Sequence, residues 1–338
     1  MAGAELRDAG TAPEPFACRR VSPIMTLPVH SEADYRIAVL IPCYNEAVTI
    51  GEVVTDFRRA LPDATIYVFD NNSVDDTATI AHSVGADVRT VRQQGKGNVV
   101  RRMFADVEAD LYVMVDGDGT YDADSAAAMV RKLIGEHADM VVGCRHTEER
   151  SAYRAGHRFG NRLLTGCVAM LFGRSFTDIL SGYRVFSRRF VKSFPALAAG
   201  FEIETELTVH ALELRMPIGE FDTPYRSRPA GSTSKLSTYR DGWRILMTIL
   251  KLMKSERPLS FFGAVCALLL LLSVALAAPI VQTWLTTGLV PRFPTAILAT
   301  GLALLGFLSL ACGLILDTVT RGRQELKRLA YLACAAPH

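Results

Sequence analysis

The chain has 338 residues, enough for about two domains, and is 49% hydrophobic and 21% charged. That composition excludes a disordered chain, which would lack the apolar residues to bury. With 37 Lys and Arg against 35 Asp and Glu the net charge is +2. A balance so near neutral gives no bulk attraction for nucleic acid, and no nucleic-acid partner is expected.

Residues 1–34 are punctuated by Pro13, Pro15, Pro23 and Pro28 and hold no steady period. They are expected to form a disordered tail, with no apolar run behind a basic start and hence no signal peptide. From Arg36 the pattern changes. Residues 37–41 form a short apolar run, as a strand buried on both faces does. A helix is expected at 47–60, a strand at 65–69, a helix at 75–84 and a strand at 87–91. A loop then leads into a helix within 95–106, followed by a strand at 111–115, a helix at 124–136 and a strand at 140–143. Strands alternating with helices at this spacing predict an α/β fold with a doubly wound, mostly parallel sheet. The expected domain spans 35–236, and its ligands belong beyond the carboxyl ends of the strands.

The C-terminal part is of another kind. Residues 259–281 and 295–316 are uncharged apolar stretches, each about the twenty residues that cross a bilayer as a helix. They predict a two-helix transmembrane hairpin within 258–318. Lys251, Lys254 and Arg257 precede it, Arg321, Arg323, Lys327 and Arg328 follow it, and the connecting loop holds Arg292. By the positive-inside rule both ends are cytoplasmic, which puts the α/β domain in the cytosol at the cytoplasmic (inner) membrane and leaves 319–338 as a cytoplasmic tail. Between the two parts, residues 237–257 carry Trp243, Leu246, Met247, Leu250 and Met253 at helical spacing among Arg240, Arg244, Lys251 and Lys254. This reads as an amphipathic helix in the lipid interface, with an ordinary surface helix as the competing reading.

The seven cysteines are odd in number and widely spaced, and no CxxC occurs. Neither a disulfide framework nor a zinc ribbon is expected; most read as small apolar fillers in a reducing setting.

Polar clusters fall at the strand ends. Asp116-Gly117-Asp118 sets two carboxylates where they can share one cation, and Gly117 leaves room for a phosphate to approach. Mg²⁺ or Mn²⁺ suits such oxygen donors, being held by one or two carboxylates plus substrate phosphates. Thr120 could add a hydroxyl or a water-mediated ligand. In Pro42-Cys43-Tyr44-Asn45-Glu46 the Tyr44 ring can stack on a base and Glu46 can accept from its edge or from ribose; a plain turn is the simpler reading. Asp70 is placed to accept from a base or ribose, while Asn72 or Ser73 could cap the next helix. Lys96, flanked by Gly95 and Gly97, could reach a phosphate or base, but the segment lacks the full Walker pattern.

Taken in order, Ile41-Pro-Cys-Tyr-Asn-Glu46, Asp70-Asn-Asn-Ser-Val-Asp-Asp-Thr77, Gln94-Gly-Lys-Gly-Asn98 and Asp116-Gly-Asp-Gly-Thr-Tyr121 resemble the inverting family-2 glycosyltransferases of the GT-A fold. Val142-Gly-Cys-Arg145, Asp178-Ile-Leu-Ser-Gly-Tyr-Arg184, Gly200-Phe-Glu-Ile-Glu-Thr-Glu206 and Ser234-Lys-Leu236 are similar to the polyprenyl-phosphate glycosyltransferases, the dolichol-phosphate mannose synthases among them. The resemblance covers about residues 36–257. It implies nucleotide contacts at Pro42, Tyr44, Glu46 and Asp70, and a metal and diphosphate site at Asp116 and Asp118. It further implies acceptor-phosphate arginines at Arg145 and at Arg158 or Arg162. A loop bearing Arg226, Arg228, Ser234 and Lys235 would close over both substrates.

The implied reaction moves a sugar from a nucleotide-diphosphate sugar to a polyprenyl phosphate at the lipid bilayer, with inversion. UDP-glucose or UDP-N-acetylglucosamine is favoured, with GDP-mannose as the other donor. Asp178 is expected to serve the site, by positioning an arginine or donor hydroxyl rather than by taking a proton. The hairpin holds the site at the membrane and leaves room for a homo-oligomer. A polysaccharide-synthesising membrane glycosyltransferase is the alternative, although the Gln-x-x-Arg-Trp signature is absent. An inactive, membrane-tethered nucleotide-binding scaffold is the alternative of another class.

Overall fold

The computed structural model describes residues 35–146, 166, 168, 176–200, 202–226, 247 and 250–335. The expected tail at 1–34 and most of the expected interfacial helix at 237–257 lie outside the described residues.

Its strands are β1 (Ile37–Cys43), β2 (Thr65–Asp70), β3 (Asp87–Thr90), β4 (Leu111–Met114), β5 (Met140–His146), β6 (Arg184–Ser187) and β7 (Ile218–Pro224). They form a seven-stranded sheet in the order β3-β2-β1-β4-β6-β5-β7. Six strands run the same way. β6 lies antiparallel between β4 and β5, and β5 pairs parallel with β7. The helices between them are α1 (Ile50–Ala60), α2 (Thr77–Ser83), α3 (Lys96–Asp106), α4 (Ser125–Gly135), α5 (Arg188–Ser193) and α6 (Ile203–Glu213).

The alternation of side chains along each strand explains the layers. From β1, Val39 and Ile41 pack with Ile50, Val54 and Phe57 of α1 and with Met129 and Leu133 of α4. Ala38 and Leu40 point the other way, into a core with Val100, Met103 and Phe104 of α3, Phe190 of α5 and Leu207 of α6. Both faces are covered, as the unbroken apolar runs require. β6 and β7 were not expected. β6 is four residues long and begins with Arg184, a residue type that argues against a central strand until its partners are seen. Its guanidinium is fully buried and donates to the carbonyls of Ser181 and Ile179 at 3.0 and 2.5 Å, and to Thr208 Oγ1 at 2.9 Å.

Two long helices follow, α7 (Pro258–Thr287) and α8 (Phe293–Leu332), both long and apolar enough to cross a membrane. α7 begins on a proline and ends at Gly288 with a φ of 67°, the usual punctuation of a helix. The helices approach through small residues. A Cβ on Gly313 would lie 2.9 Å from Phe262 Cβ, and Ser273 Oγ donates to the Ala299 carbonyl at 2.6 Å. Leu271, Leu304, Phe307 and Leu308 are left exposed on the outside, as on a lipid-facing hairpin.

Residues 319–332, placed in the cytoplasmic tail from sequence, continue α8 and dock on the sheet domain. Lys327 Nζ meets Glu213 Oε2 at 2.6 Å, with the glutamate side chain fully buried. Tyr331 donates its hydroxyl to Asp139 Oδ2 at 2.9 Å, and Arg189, which is ion-paired with Asp139, stacks on the Tyr331 ring at 4.9 Å. Removing one partner of a buried ion pair leaves an uncompensated charge, at a cost of about 3 kcal/mol. Lys327→Met should therefore lower the thermal midpoint of the purified chain in detergent. Lys327→Met/Glu213→Gln should recover most of the loss.

Candidate functional site

The polar clusters converge at the carboxyl ends of β1, β2 and β4, beside the α3 N-terminus. Asn45 and Asn72 both adopt positive φ, 52° and 59°, which turns the chain sharply as it leaves β1 and β2. The two turns are tied together. Asn45 N donates to Ser73 Oγ and Asn45 Oδ1 accepts from Val74 N, each at 2.9 Å. Glu46 N donates to Thr77 Oγ1 at 2.9 Å. Pro42, Tyr44 and Glu46 are half-buried along this rim.

Asp70 is 5% exposed, and its Oδ2 accepts from Ser73 N at 3.2 Å. Its Oδ1 is buried with no hydrogen-bond partner among the described residues. An unmet acceptor of this kind costs free energy unless a ligand donor satisfies it. Asn72 braces its neighbour loop, donating Nδ2 to the Arg92 carbonyl at 2.6 Å. Asn71, which sequence reasoning passed over, has a larger bracing role. Its Nδ2 donates to the carbonyls of Val91 and Gln93, and its Oδ1 accepts from Gly95 N at 2.7 Å. Nothing in an Asn-Asn pair announces which one will be buried.

After β4 the chain turns through Asp116, Gly117 and Asp118. Thr49 Oγ1 donates to the Gly117 carbonyl at 2.7 Å and holds the turn down. Gly117 has no room for a side chain: a Cβ there would lie 2.5 Å from Cys43 Sγ. Asp118 is 5% exposed and accepts from Thr120 Oγ1 at 2.6 Å. Thr120, itself buried, thus orients that carboxylate. The Asp116 side chain is 27% exposed, and a Cβ on Gly182 would lie 2.3 Å from its Oδ2. Among the described residues no group of three His, Cys, Asp or Glu forms a metal cage. Two carboxylates with substrate oxygens to complete the shell are nevertheless a fit for a hard divalent ion.

Lys96 opens α3. Gly95, at a φ of 125°, and Gly97, where a Cβ would lie 2.1 Å from the Ala198 carbonyl oxygen, let the 198–199 backbone press against the lysine's own. The ammonium bridges Asp116 Oδ1 at 2.5 Å and Glu204 Oε1 at 2.6 Å. Burial alone would push its pKa down, but the two carboxylates outweigh that and hold it well above the ordinary lysine value.

Arg145, near the end of β5, forms a fork with Asp178. Nε meets Oδ2 at 2.6 Å and Nη2 meets Oδ1 at 2.8 Å. Asp178 is thus paired with an arginine. Arg184 pins the Asp178–Ser181 loop from beneath through two carbonyls; burial pushes its guanidinium down to about 10, still charged near neutrality. Sequence reasoning quoted Arg184 within a motif and saw no role for it. Arg158, Arg162, Arg228, Ser234 and Lys235 lie outside the described residues. Arg226, its competitor in the loop, donates its backbone N–H to the Thr120 carbonyl at 2.9 Å and pairs with Asp122 at 3.4 Å.

Comparison with known proteins follows the same outline. Residues 38–193 match the model of the family described as glycosyl transferase family 2. The chain is 33% identical to glycosyltransferase AglJ of Haloferax volcanii over 299 residues, 88% of this chain and 98% of that one. It is 28% identical to a dolichyl-phosphate hexose transferase of the same organism over 65% of this chain and 95% of the relative. Among solved structures, glucosyl-3-phosphoglycerate synthase of Mycobacterium tuberculosis, in complex with Mn²⁺, UDP-glucose and glycerol 3-phosphate, aligns with a TM-score of 0.52 at 24% identity, over 66% of this chain and 80% of that one. At that identity the likeness is one of fold.

Burial pushes the Asp178 carboxyl up, but its bonds to Arg145 and the arginine's charge outweigh burial and hold it below the ordinary 3.8. The pair's contribution to stability is thus complete above the ordinary aspartate range and is lost as the pH falls through the lowered folded value. Asp178→Asn, which keeps the shape and loses the charge, should be about 2 kcal/mol less stable at neutral pH. Between pH 5 and pH 3 its thermal midpoint should fall less than that of the wild type.

Proposed function

Starting from a chain that belongs to glycosyl transferase family 2 and is a glycosyltransferase of nucleotide sugars, we propose that it transfers a hexose to a polyprenyl phosphate at the cytoplasmic face of a membrane. The observation that carries this reading is the placement of Asp116, Asp118 and Lys96 at the strand ends of a domain onto which the apolar hairpin is bolted by its own C-terminal helix. The resemblance to a dolichyl-phosphate hexose transferase supports the acceptor. UDP-glucose or UDP-N-acetylglucosamine is the favoured donor.

In this reading the base and ribose lie along Pro42, Tyr44, Glu46 and Asp70, whose open Oδ1 accepts from the nucleoside. Asn72 and Asn71 hold the loop beneath it. Asp116 and Asp118 would hold Mg²⁺ or Mn²⁺, with Thr120 orienting Asp118; Gly117, expected to make room for a phosphate, instead gives its space to Cys43 Sγ. The ion, when bound, supplies charge compensation to a diphosphate leaving group. Lys96 adds a donor for the same oxygens. Arg145, aimed by Asp178, binds the acceptor phosphate, joined by Arg158, Arg228 and Lys235 from segments outside the described residues; guanidinium matches phosphate oxygens in a fork.

A phosphate acceptor needs no general base, and none stands out among the described residues. A phosphate monoester has a second pKa of about 6 and is mostly a dianion near neutrality. Its oxygen attacks the sugar C1 directly, the bond to the nucleotide diphosphate breaks, and the configuration inverts. The carboxylates of the site are then free to hold cations and orient arginines.

Membranes containing the chain, supplied with polyprenyl phosphate and Mn²⁺, should move radiolabel from one nucleotide sugar into the organic-soluble fraction. UDP-glucose, UDP-N-acetylglucosamine, UDP-galactose and GDP-mannose, offered singly, identify the donor. Asp116→Asn and Asp118→Asn should each lower transfer at least about 100-fold, while membrane insertion and thermal midpoint stay near wild type. Label in polymer, or donor hydrolysis without lipid label, would overturn the lipid acceptor and favour polysaccharide synthesis.

A further inference from the structure

Glu204 is a buried carboxylate with no evident need to be there. Its side chain is 6% exposed, in the first turn of α6, and Oε1 meets Lys96 at 2.6 Å. Its Oε2 is buried without a hydrogen-bond partner among the described residues. Asp116 alone would neutralise the Lys96 ammonium, which it meets at 2.5 Å. A second carboxylate leaves surplus negative charge in a poorly solvated place, which is costly.

The surplus has a use if Lys96 has to release Asp116. The ammonium occupies Asp116 Oδ1, so a cation that draws on both oxygens of that carboxylate has to displace it. The lysine backbone cannot retreat, because the 198–199 carbonyls press on Gly95 and Gly97. The ammonium can pivot only at the end of its stem. Glu204, at nearly the same distance as Asp116 but behind the cleft, gives it a partner to stay on.

Resting on the metal reading of Asp116 and Asp118 given above, we propose that Glu204 is a positioning residue for Lys96. It holds the ammonium when Asp116 is ceded to a divalent cation, and keeps it at the wall of the site as a donor to phosphate oxygens. Without the Glu204 charge, Lys96 closes on Asp116 and excludes the cation. Without both Lys96 and Glu204, the competitor is gone and Asp116 is open.

The two cases have opposite signs, which a merely structural role would not produce. Mn²⁺ binding to the full chain in detergent, with UDP or GDP supplying the substrate oxygens, is read from the free-ion electron paramagnetic resonance signal against a nucleotide-only control. Glu204→Gln should weaken binding about tenfold, the effect typical of a partner one step removed from a metal ligand. Lys96→Met/Glu204→Gln, which buries no unpaired charge, should bind Mn²⁺ more tightly than wild type. Glu204→Asp should fall between wild type and Glu204→Gln. If Glu204→Gln binds as wild type does, or both variants bind more weakly, the proposal is overturned while the metal reading stands. If wild type binds no Mn²⁺, the metal reading is overturned and the proposal with it. If Glu204→Gln does not fold, the double variant decides alone: tighter binding supports the proposal, and equal or weaker binding overturns it.

Discussion

A sheet covered on both faces has only its strand ends left for polar chemistry, and this constraint organises the molecule. β1, β2 and β4 put apolar side chains into two layers, and each must surrender its backbone to a turn where the layers stop. The turns are made by the residues that tolerate unusual dihedrals, Asn45, Asn72 and Gly119. Carboxylates placed there, Asp70 on one turn and Asp116 and Asp118 on another, therefore gather at one end of the sheet although 46 positions separate Asp70 from Asp116.

Gathered carboxylates repel, and the structure offsets this with cations drawn from other parts of the chain. Lys96 comes from the start of α3 and Arg145 from the end of β5. Lys96 is held between Asp116 and the more deeply buried Glu204, and Arg145 is held by the buried Asp178. Arg184 connects the two sets, bonding the loop that carries Asp178 and the α6 residue Thr208. Around Lys96 this gives an acid at the cleft, a lysine between and an acid behind.

The hairpin is joined to this domain by more than the chain that leads into it. The buried Lys327–Glu213 pair reaches α6, and the Tyr331–Asp139 hydrogen bond reaches the residue just before β5. Helix α6 also carries Glu204. The same short helix thus touches the site at its first turn and the membrane-derived helix at its last. An acceptor phosphate presented at the lipid surface would meet a domain whose orientation is set by these contacts.

The sequence by itself determined the alternating strands and helices from 37 to 143, the two apolar spans and the strand-end clusters. Each is written locally, in the period of the apolar residues and the chemistry of a turn. It also marked Asp70, Asp116, Asp118 and Lys96 as polar residues placed for chemistry. Only the tertiary structure decided that β6 enters the sheet antiparallel, because a four-residue strand led by a buried arginine has no legible period. The partners of the site residues were likewise a tertiary matter. Glu204 lies 108 positions from Lys96, Thr49 lies 68 from Gly117 and Asp178 lies 33 from Arg145. Burial makes each of these pairs matter, and burial is a property of the packed layers rather than of any stretch of chain.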